Sequence, residues 1–468
     1  MTPGARIEAA IGLLSAIGEG RAAADDVVAD YFRRHRFAGA KDRAAISAHI
    51  YGVLRRRGAI DYWLQRNAAP ADARHRLLAE LALFEEWSPD QIDRACDGDR
   101  FRPPRLDEGE RQLIESLAGA PAYPKDMPAE ARGNYPAWLA PSLERALGRD
   151  LGREMVAMQD EAGLDLRVNL LKAEREAVYA ALARQGIELA RTKLSPIGLR
   201  LFERVPLGQL DLFKNGAIEV QDEGSQLAAL LADARPGMRV VDFCAGAGGK
   251  TLALAAAMKN RGHLVACDIA EKRLERATQR LRRAGASIVQ RQPLATARDK
   301  WVKRHAAGFD RVFVDAPCTG TGTWRRNPDA KWRLKPEDLA ELPALQADIL
   351  DSAQRLVKQG GRLIYATCSL LMEEDEDQVA KFLETHADFR LLPIRDIWAD
   401  AVGGDYPVFN KDGRADTLRL SPARHGTDGF FVAVMEKKNP PHRQPGVAPL
   451  PGGEREGPDP ESVEGAGG

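Results

Sequence analysis

The chain has 468 residues, with 68 Lys and Arg balanced by 68 Asp and Glu, and its 44% apolar and 29% charged content is globular. That length predicts two or three compact domains, and no run approaches the ~20 uninterrupted apolar residues a membrane helix needs. Glu8, Glu19 and Asp25 interrupt any leader-like segment, so the expectation is a cytoplasmic protein without membrane association. The cysteines Cys96, Cys244, Cys267, Cys318 and Cys368 form no CxxC and no Cys/His ligand spacing, which predicts reduced thiols and no metal.

In chain order, Ile7, Ile11, Leu14 and Ile17 share one helical face, and Ile46, Ile50, Val53, Leu54 and Leu64 another within residues 41–64. A further helical stretch at 74–87 makes residues 1–120 an expected all-helical domain. Pro121, Pro124, Pro128, Gly133 and Pro136 then punctuate an expected linker, 121–160, with a short helix near Ser142 to Leu147. A strand from Leu164 to Asn169, a helix from Arg175 to Gln185 and strands near 198–202 and 217–220 predict a small α+β module over 161–235.

From 236 to 438 the pattern alternates as in a doubly wound, Rossmann-like α/β domain. The strands are expected at 239–243, 264–267, 287–290, 311–314 and 362–366, the helices at 252–258, 272–284, 344–357 and 379–385, and a closing strand at 430–435. The tail 439–468, rich in Pro, Gly and Glu, is expected to be disordered. No heptad pattern demands a partner, which predicts a monomer.

Zero net charge hides local basic clusters: Arg33-Arg34-His35-Arg36, Arg55-Arg56-Arg57, and Arg325-Arg326 with Lys331, Arg333 and Lys335. The first two read as solvated helix faces. The third also contains Trp324 and Trp332, the interleaving of rings and cations by which proteins hold single-stranded RNA.

The turn Cys244-Ala245-Gly246-Ala247-Gly248-Gly249-Lys250-Thr251 ends like a P-loop, but a glycine is required five positions before Gly249 and position 244 is Cys. A dinucleotide fingerprint fits no better. A glycine turn between strand and helix, followed by Asp268 at the next strand end to accept ribose hydroxyls, suits an adenosine ligand without a phosphate cradle, and S-adenosylmethionine fits best.

Cys318 in Asp315-Ala316-Pro317-Cys318 and Cys368 in Thr367-Cys368-Ser369 each follow an apolar strand. The structural alternative is two small buried hydrophobes. The functional one is methylation at carbon 5 of a pyrimidine, a poor nucleophile until a thiolate adds at carbon 6. Asp315, three residues before Cys318, could hydrogen-bond ring nitrogen 3, and a second thiol could assist elimination.

These residues resemble the bacterial RsmB/Sun-type and eukaryotic nucleolar RNA cytosine-5-methyltransferases. The likeness covers Gln221-Asp222-Glu223-Gly224-Ser225-Gln226, the Cys244–Thr251 loop, Asp315–Gly322, Arg325-Arg326-Asn327-Pro328-Asp329 with Lys331-Trp332, Tyr365–Ser369 and Asp428-Gly429-Phe430-Phe431. It implies Cys368 as nucleophile and Cys318 as the thiol that assists product release. It also places S-adenosylmethionine on Cys244, Ala245, Gly246, Ala247, Gly248, Gly249, Lys250, Asp268 and Asp315, with Arg273 near the ribose. Leu166-Arg167-Val168-Asn169 with Lys172 looks like the family's RNA-binding segment; Arg325, Arg326 and Lys331 join it as RNA-binding candidates. Lys41-Asp42-Arg43 and Tyr51–Arg55 look like a NusB-type extension, which points to 16S rRNA as the substrate, although Asp42 could merely cap a helix.

One departure is that the family usually has a carboxylate after the third strand to meet the adenine amine, whereas Gln290-Arg291-Gln292-Pro293-Leu294 contains none. Gln290, Gln292 or a backbone carbonyl could take that place. The competing functions are an RNA-binding, antitermination-like protein with a decayed enzyme domain, an NTPase, an amino-group methyltransferase and a tRNA cytosine-5-methyltransferase. The first leaves both cysteine motifs without a purpose, the second lacks the loop spacing, and the third would place an aromatic where Cys318 follows Pro317.

Overall fold

The computed structural model describes residues 1–203, 205–407 and 416–439. Helices Pro3–Gly18, Ala40–Arg66 and Ala73–Leu83 bury the faces read from the sequence, with Ile7, Ile46, Ile50, Ile60, Leu64 and Leu77 inaccessible to solvent. Ala24–Arg34, Pro89–Ala95 and Glu108–Leu117 are further helices of this layer. The third expected helix stops at Leu83, short of 87, because Ser88 and Pro89 open a new one through a capping box. Asp42 accepts from the Gly39 amide at 3.2 Å and caps its helix.

The linker expectation is corrected. Residues 121–160 carry the helices Ala129–Gly133, Ala140–Leu147 and Leu151–Ala157. Their Tyr135, Leu139, Leu143 and Met155 share one core with Trp324, Leu370 and Leu371 of the C-terminal half. Pro128 and Pro141 sit at the starts of short helices here instead of breaking structure: Ala129–Gly133 packs on helix Ala40–Arg66, and the next two on the loops after the central strands of the C-terminal sheet.

A four-stranded antiparallel sheet follows, with β1 (Leu164–Val168), β2 (Leu189–Arg191), β3 (Gly198–Leu201) and β4 (Ile218–Val220) in the order β2-β3-β1-β4. Leu166 and Val168 alternate toward the helix Arg175–Ala183, packing with Val178 and Leu182.

The largest sheet contains β5 (Arg239–Asp242), β6 (His263–Asp268), β7 (Val289–Pro293), β8 (Phe309–Asp315), β9 (Val357–Thr367), β10 (Phe389–Leu392), β11 (Leu418–Leu420) and β12 (Phe430–Lys437). Its order is β10-β12-β9-β8-β5-β6-β7, with β11 on β12. Strands β5 to β9 are parallel, while β12 runs antiparallel to β9. Order reverses at β5, so the crevice beyond the carboxyl ends of β5, β6 and β8 is the ligand position. Helix Glu271–Ala284 buries Leu274, Ala277, Leu281 and Ala284 and ends on Gly285 at φ 74°.

Two expected elements shift. The third parallel strand lies at Val289–Pro293, later than 287–290, and the helix expected at 344–357 runs Asp338–Ala353 with Pro343 inside it. The expected disordered tail falls, from residue 440, outside the described residues. Among the described residues no helix is long and apolar enough to cross a membrane.

Candidate active site

Five acidic or thiol groups meet at the carboxyl edge because the strands that deliver them are adjacent: Asp242 from β5, Asp268 from β6, Asp315 from β8, Cys318 three residues beyond, and Cys368 just after β9. The sulfurs of Cys318 and Cys368 lie 3.4 Å apart, and both residues are half-buried. The hydrogen bond with Cys368 first, then burial, push the Cys318 thiol well above its ordinary range.

The Asp315 carboxylate meets Lys250 Nζ at 2.6 Å. Burial works to lower Lys250, but the charge and hydrogen bond of Asp315, with the Cys368 thiol nearby, hold its pKa above the usual lysine value. Lys250 Nζ also lies 5.0 Å from the centre of the Phe430 ring.

Three loops interlock beneath the thiols. The Gly322 amide donates to the Cys368 carbonyl at 2.9 Å, and the Gly429 amide to the Gly322 carbonyl at 2.8 Å. A Cβ at Gly322 would overlap the Gly429 backbone, so both crossings require glycine.

The glycine turn places Gly246 at φ 54° and Gly248 at φ 80°, with the space where a Gly246 side chain would project left open. Asp268 accepts from the Gly246 amide through Oδ2 and the Ala270 amide through Oδ1, each at 2.7 Å, leaving a lone pair on both oxygens for a ribose diol. Ile269, next to it, is 67% exposed and offers an apolar face for a base. Asp242 is buried, takes the Thr251 hydroxyl at 2.6 Å on Oδ2, and has no partner for Oδ1. Burial raises its pKa to about 7. Open turn, diol acceptor, apolar shelf and an orphaned buried oxygen fit S-adenosylmethionine. Cys244 is half-buried, and burial drives its thiol well above the usual range, so the loop uses its backbone.

At the adenine side, Gln292 Nε2 donates to the Pro293 carbonyl at 2.8 Å, leaving its carbonyl end as the acceptor. Arg273 is exposed on the first turn of its helix.

The RNA-binding expectations need correction, because the side chains are spent on partners within the protein, all but the exposed Lys172 in its interior or half-buried. Arg167 is 2% exposed; it bonds Gln221 and, at 2.8 Å, the Gly249 carbonyl, bracing the cofactor turn. Asn169 and Lys172 take backbone carbonyls at the end of helix Glu271–Ala284, Asn169 reaching Ala284 and Lys172 reaching Arg283. Arg325 and Arg326 pair with Asp428, and Arg326 also with Asp222. Lys331 is 1% exposed and donates to the Arg55 carbonyl at 3.0 Å. Trp324 is buried, and Trp332 donates to the Leu54 carbonyl at 2.7 Å. The basic, aromatic cluster after Cys318 therefore docks the N-terminal helices; Asp329 completes the seam by accepting the first amide of helix Ala24–Arg34 at 3.0 Å.

Sequence reasoning missed Asp242, Ile269 and two buried carboxylates, Glu374 and Asp375. Glu374 accepts the Thr319 amide at 2.8 Å, and Asp375 the Thr367 hydroxyl at 2.6 Å. Glu373 to Asp377 form an acidic run whose signal in the sequence is its place directly after the Cys368 turn.

A mixed sheet with an adenosine-shaped turn at its switch point and a paired acid beside it defines a Rossmann-like, S-adenosylmethionine-dependent methyltransferase. Residues 229–436 match the family model described as 16S rRNA methyltransferase RsmB/F, and residues 135–208 the ferredoxin-like domain of RsmF/B-like methyltransferases. The chain is 31% identical over 409 residues to ribosomal RNA small subunit methyltransferase B of Xanthomonas campestris, covering 85% of this chain and 89% of the relative. The probable ribosomal RNA small subunit methyltransferase B of Bacillus subtilis is 33% identical over 307 residues, 65% of this chain and 67% of its own length. The crystal structure of PH0851 superposes with a TM-score of 0.76 at 30% identity over 93% of this chain and 99% of that one. NSun6 from Pyrococcus horikoshii, solved with SFG, an S-adenosylmethionine analogue, shares the fold at a TM-score of 0.56 and 20% identity over 65% of this chain and 99% of that one. The chain belongs to the RsmB/F family of methyltransferases.

Proposed function

We propose that this protein transfers a methyl group from S-adenosylmethionine to carbon 5 of a cytosine in RNA, with 16S rRNA as the substrate, through a covalent bond between Cys368 and carbon 6. The observation that carries this reading is the pair of thiols 3.4 Å apart beside the Lys250–Asp315 ion pair. When bound, S-adenosylmethionine supplies an electrophilic methyl; the turn Cys244–Lys250 with Asp268 would hold it. The Cys368 thiolate adds to carbon 6 while Asp315, taking the proton that Lys250 shares with it at 2.6 Å, passes that proton to ring nitrogen 3, so that electron density collects at carbon 5 and takes the methyl. Cys318, kept protonated by its surroundings, remains a thiol beside the adduct. In the final elimination the carbon 5 proton passes to solvent, the ring nitrogen 3 proton returns to Asp315, and the Cys368–carbon 6 bond breaks with its electron pair going back to the Cys368 sulfur, toward which the Cys318 thiol donates a hydrogen bond across 3.4 Å.

RNA is taken to contact the protein at exposed cations, of which Lys335 is the clearest, since Arg57 and Arg76 pair with Asp61 and Arg333 with Asp329. A cleft of about 280 Å³ at the docking seam is lined by Arg57, Arg76, Arg333 and Lys335 beside Trp332. Among the described residues Lys335 has no ion-pair partner, which supports its use on phosphate.

The test is transfer of labelled methyl to unmodified rRNA and tRNA pools by the intact protein, Cys368→Ala and Cys318→Ala, resolved on a denaturing gel. Label in rRNA that vanishes with Cys368→Ala, and a protein–RNA adduct that accumulates with Cys318→Ala, are the expected results. Transfer surviving Cys368→Ala would reassign the nucleophile, and transfer to tRNA alone would replace the substrate.

A further inference from the structure

We infer that Glu374 is the positioning residue of the two-thiol site: by taking up the Thr319 amide and hydroxyl it fixes the Cys318 loop against the Cys368 turn. The inference rests on the two-thiol reading above and adds a group that touches neither substrate nor cofactor.

Glu374 is fully buried, and its carboxylate gathers groups from two other segments. Oε1 accepts from the Thr319 amide at 2.8 Å, one residue from Cys318, and from Gln346 Nε2 at 3.0 Å; Oε2 accepts the Thr319 hydroxyl at 2.5 Å. Gln346 Nε2 also reaches the Pro317 carbonyl at 2.9 Å, so the residues on both sides of Cys318 are tied to one carboxylate. Toward Cys368, the Thr319 hydroxyl lies 3.4 Å from the Ser369 hydroxyl, which lies 3.2 Å from that of Thr321. The backbone of Glu374 is held in turn, because Tyr365 donates its phenol to the Glu374 carbonyl at 2.6 Å from β9 itself. A turn buried only for packing would not need a carboxylate here, since desolvating one is costly unless its hydrogen bonds are filled.

The placement has an electrostatic consequence. The titratable groups facing Cys318 are Cys368, Glu374 and the Tyr365 phenol, while Lys250, paired with Asp315, faces Cys368. Negative charge on Glu374 opposes a Cys318 thiolate, and the ammonium of Lys250 favours a Cys368 thiolate. The two thiols are thereby made unequal, which the division into nucleophile and release group requires.

The experiment compares wild type, Glu374→Gln, Glu374→Asp and Thr319→Val in the full chain. The readouts are melting temperature, S-adenosylmethionine binding, steady-state methyl transfer to rRNA, and the pH dependence of iodoacetamide alkylation at each thiol by mass spectrometry. Glu374→Gln is expected to lower kcat about tenfold or more, with KM and cofactor affinity within about twofold. It should also speed Cys318 alkylation near pH 8 about fivefold while leaving Cys368 nearly unchanged. Glu374→Asp, which keeps the charge and loses reach, should restore the slow alkylation of Cys318 but not the full kcat. Wild-type kcat with an unmoved Cys318 profile overturns the inference, and so does equal acceleration at both thiols with a fallen melting temperature, the mark of simple loosening. If Glu374→Gln does not fold, Thr319→Val carries the same comparison: the hydroxyl tie is lost and kcat must fall. Alkylation needs no RNA, so a protein that transfers no methyl to RNA but shows the Cys318 response would refute the two-thiol methyltransferase reading while leaving the role of Glu374 in place.

Discussion

Gln292, with Gln290 and a backbone carbonyl, is a candidate for the place after the third parallel strand where the resemblance leads one to expect an acidic side chain; it lies at the end of β7 with its amide nitrogen spent on the Pro293 carbonyl. A neutral carbonyl accepts a weaker hydrogen bond from an adenine amine than a carboxylate does. Gln292→Asp is therefore expected to tighten S-adenosylmethionine binding several-fold, by about 1 kcal/mol, in a calorimetric titration; an unchanged affinity would remove this loop as the weak point. The individual residues most legible in the sequence are those whose chemistry is rare. Cys318 and Cys368 stand out because each thiol follows an apolar strand, and the structure sets them in contact. Arg167, Arg325 and Lys331 misled for the converse reason: a cation announces its charge in the sequence but not its burial.

Among the elements, the loops after β8 and β9 and the turn before β12 decide the geometry of the thiols. They cross at Gly322 and Gly429, where the backbones touch. Gly322→Ala forces that crossing apart, and the expected cost is about 2–4 kcal/mol, read as a lowered denaturant midpoint. Methyl transfer should fall with it, because the Gly322 amide holds the Cys368 carbonyl. The parallel strands were readable because strands buried on both faces are continuous apolar runs, such as Val312–Val314 and Leu363–Ala366. Short elements such as β10 and β11 were not, since strands of four and three residues carry too little pattern and exist only by pairing with β12.

For the molecule as a whole, the seam between the N-terminal helices and the loop 325–335 is the feature of most consequence. Met1–Lys438 pack as one compact unit, and Lys331 sits inside it with Arg55 as neighbour and a backbone carbonyl as its hydrogen-bond partner. Burial first, then the charge of Arg55, lower its pKa from 10.5 to about 7. Between those two values the unfolded chain keeps a proton that the folded chain has released, so this lysine makes stability rise with pH across that window. Below about 7 both states are protonated and its contribution is flat. Lys331→Met should remove that slope: denaturant melts of wild type and variant at several pH values should converge toward high pH as the wild type gains. Parallel curves would show that Lys331 stays charged in the fold.

The family, the cofactor class and the order of domains follow from local features, because strand–turn–helix patterning, glycine turns and strand-end acids are written within short windows of chain. Whether a charged side chain faces RNA or the protein's own carbonyls depends on segments far apart in sequence, 276 residues in the case of Lys331 and Arg55. The same holds for the buried carboxylates behind the thiols. Only the folded molecule decides between those fates, because desolvation and pairing are set by what packs on top of a residue, and local sequence does not specify that.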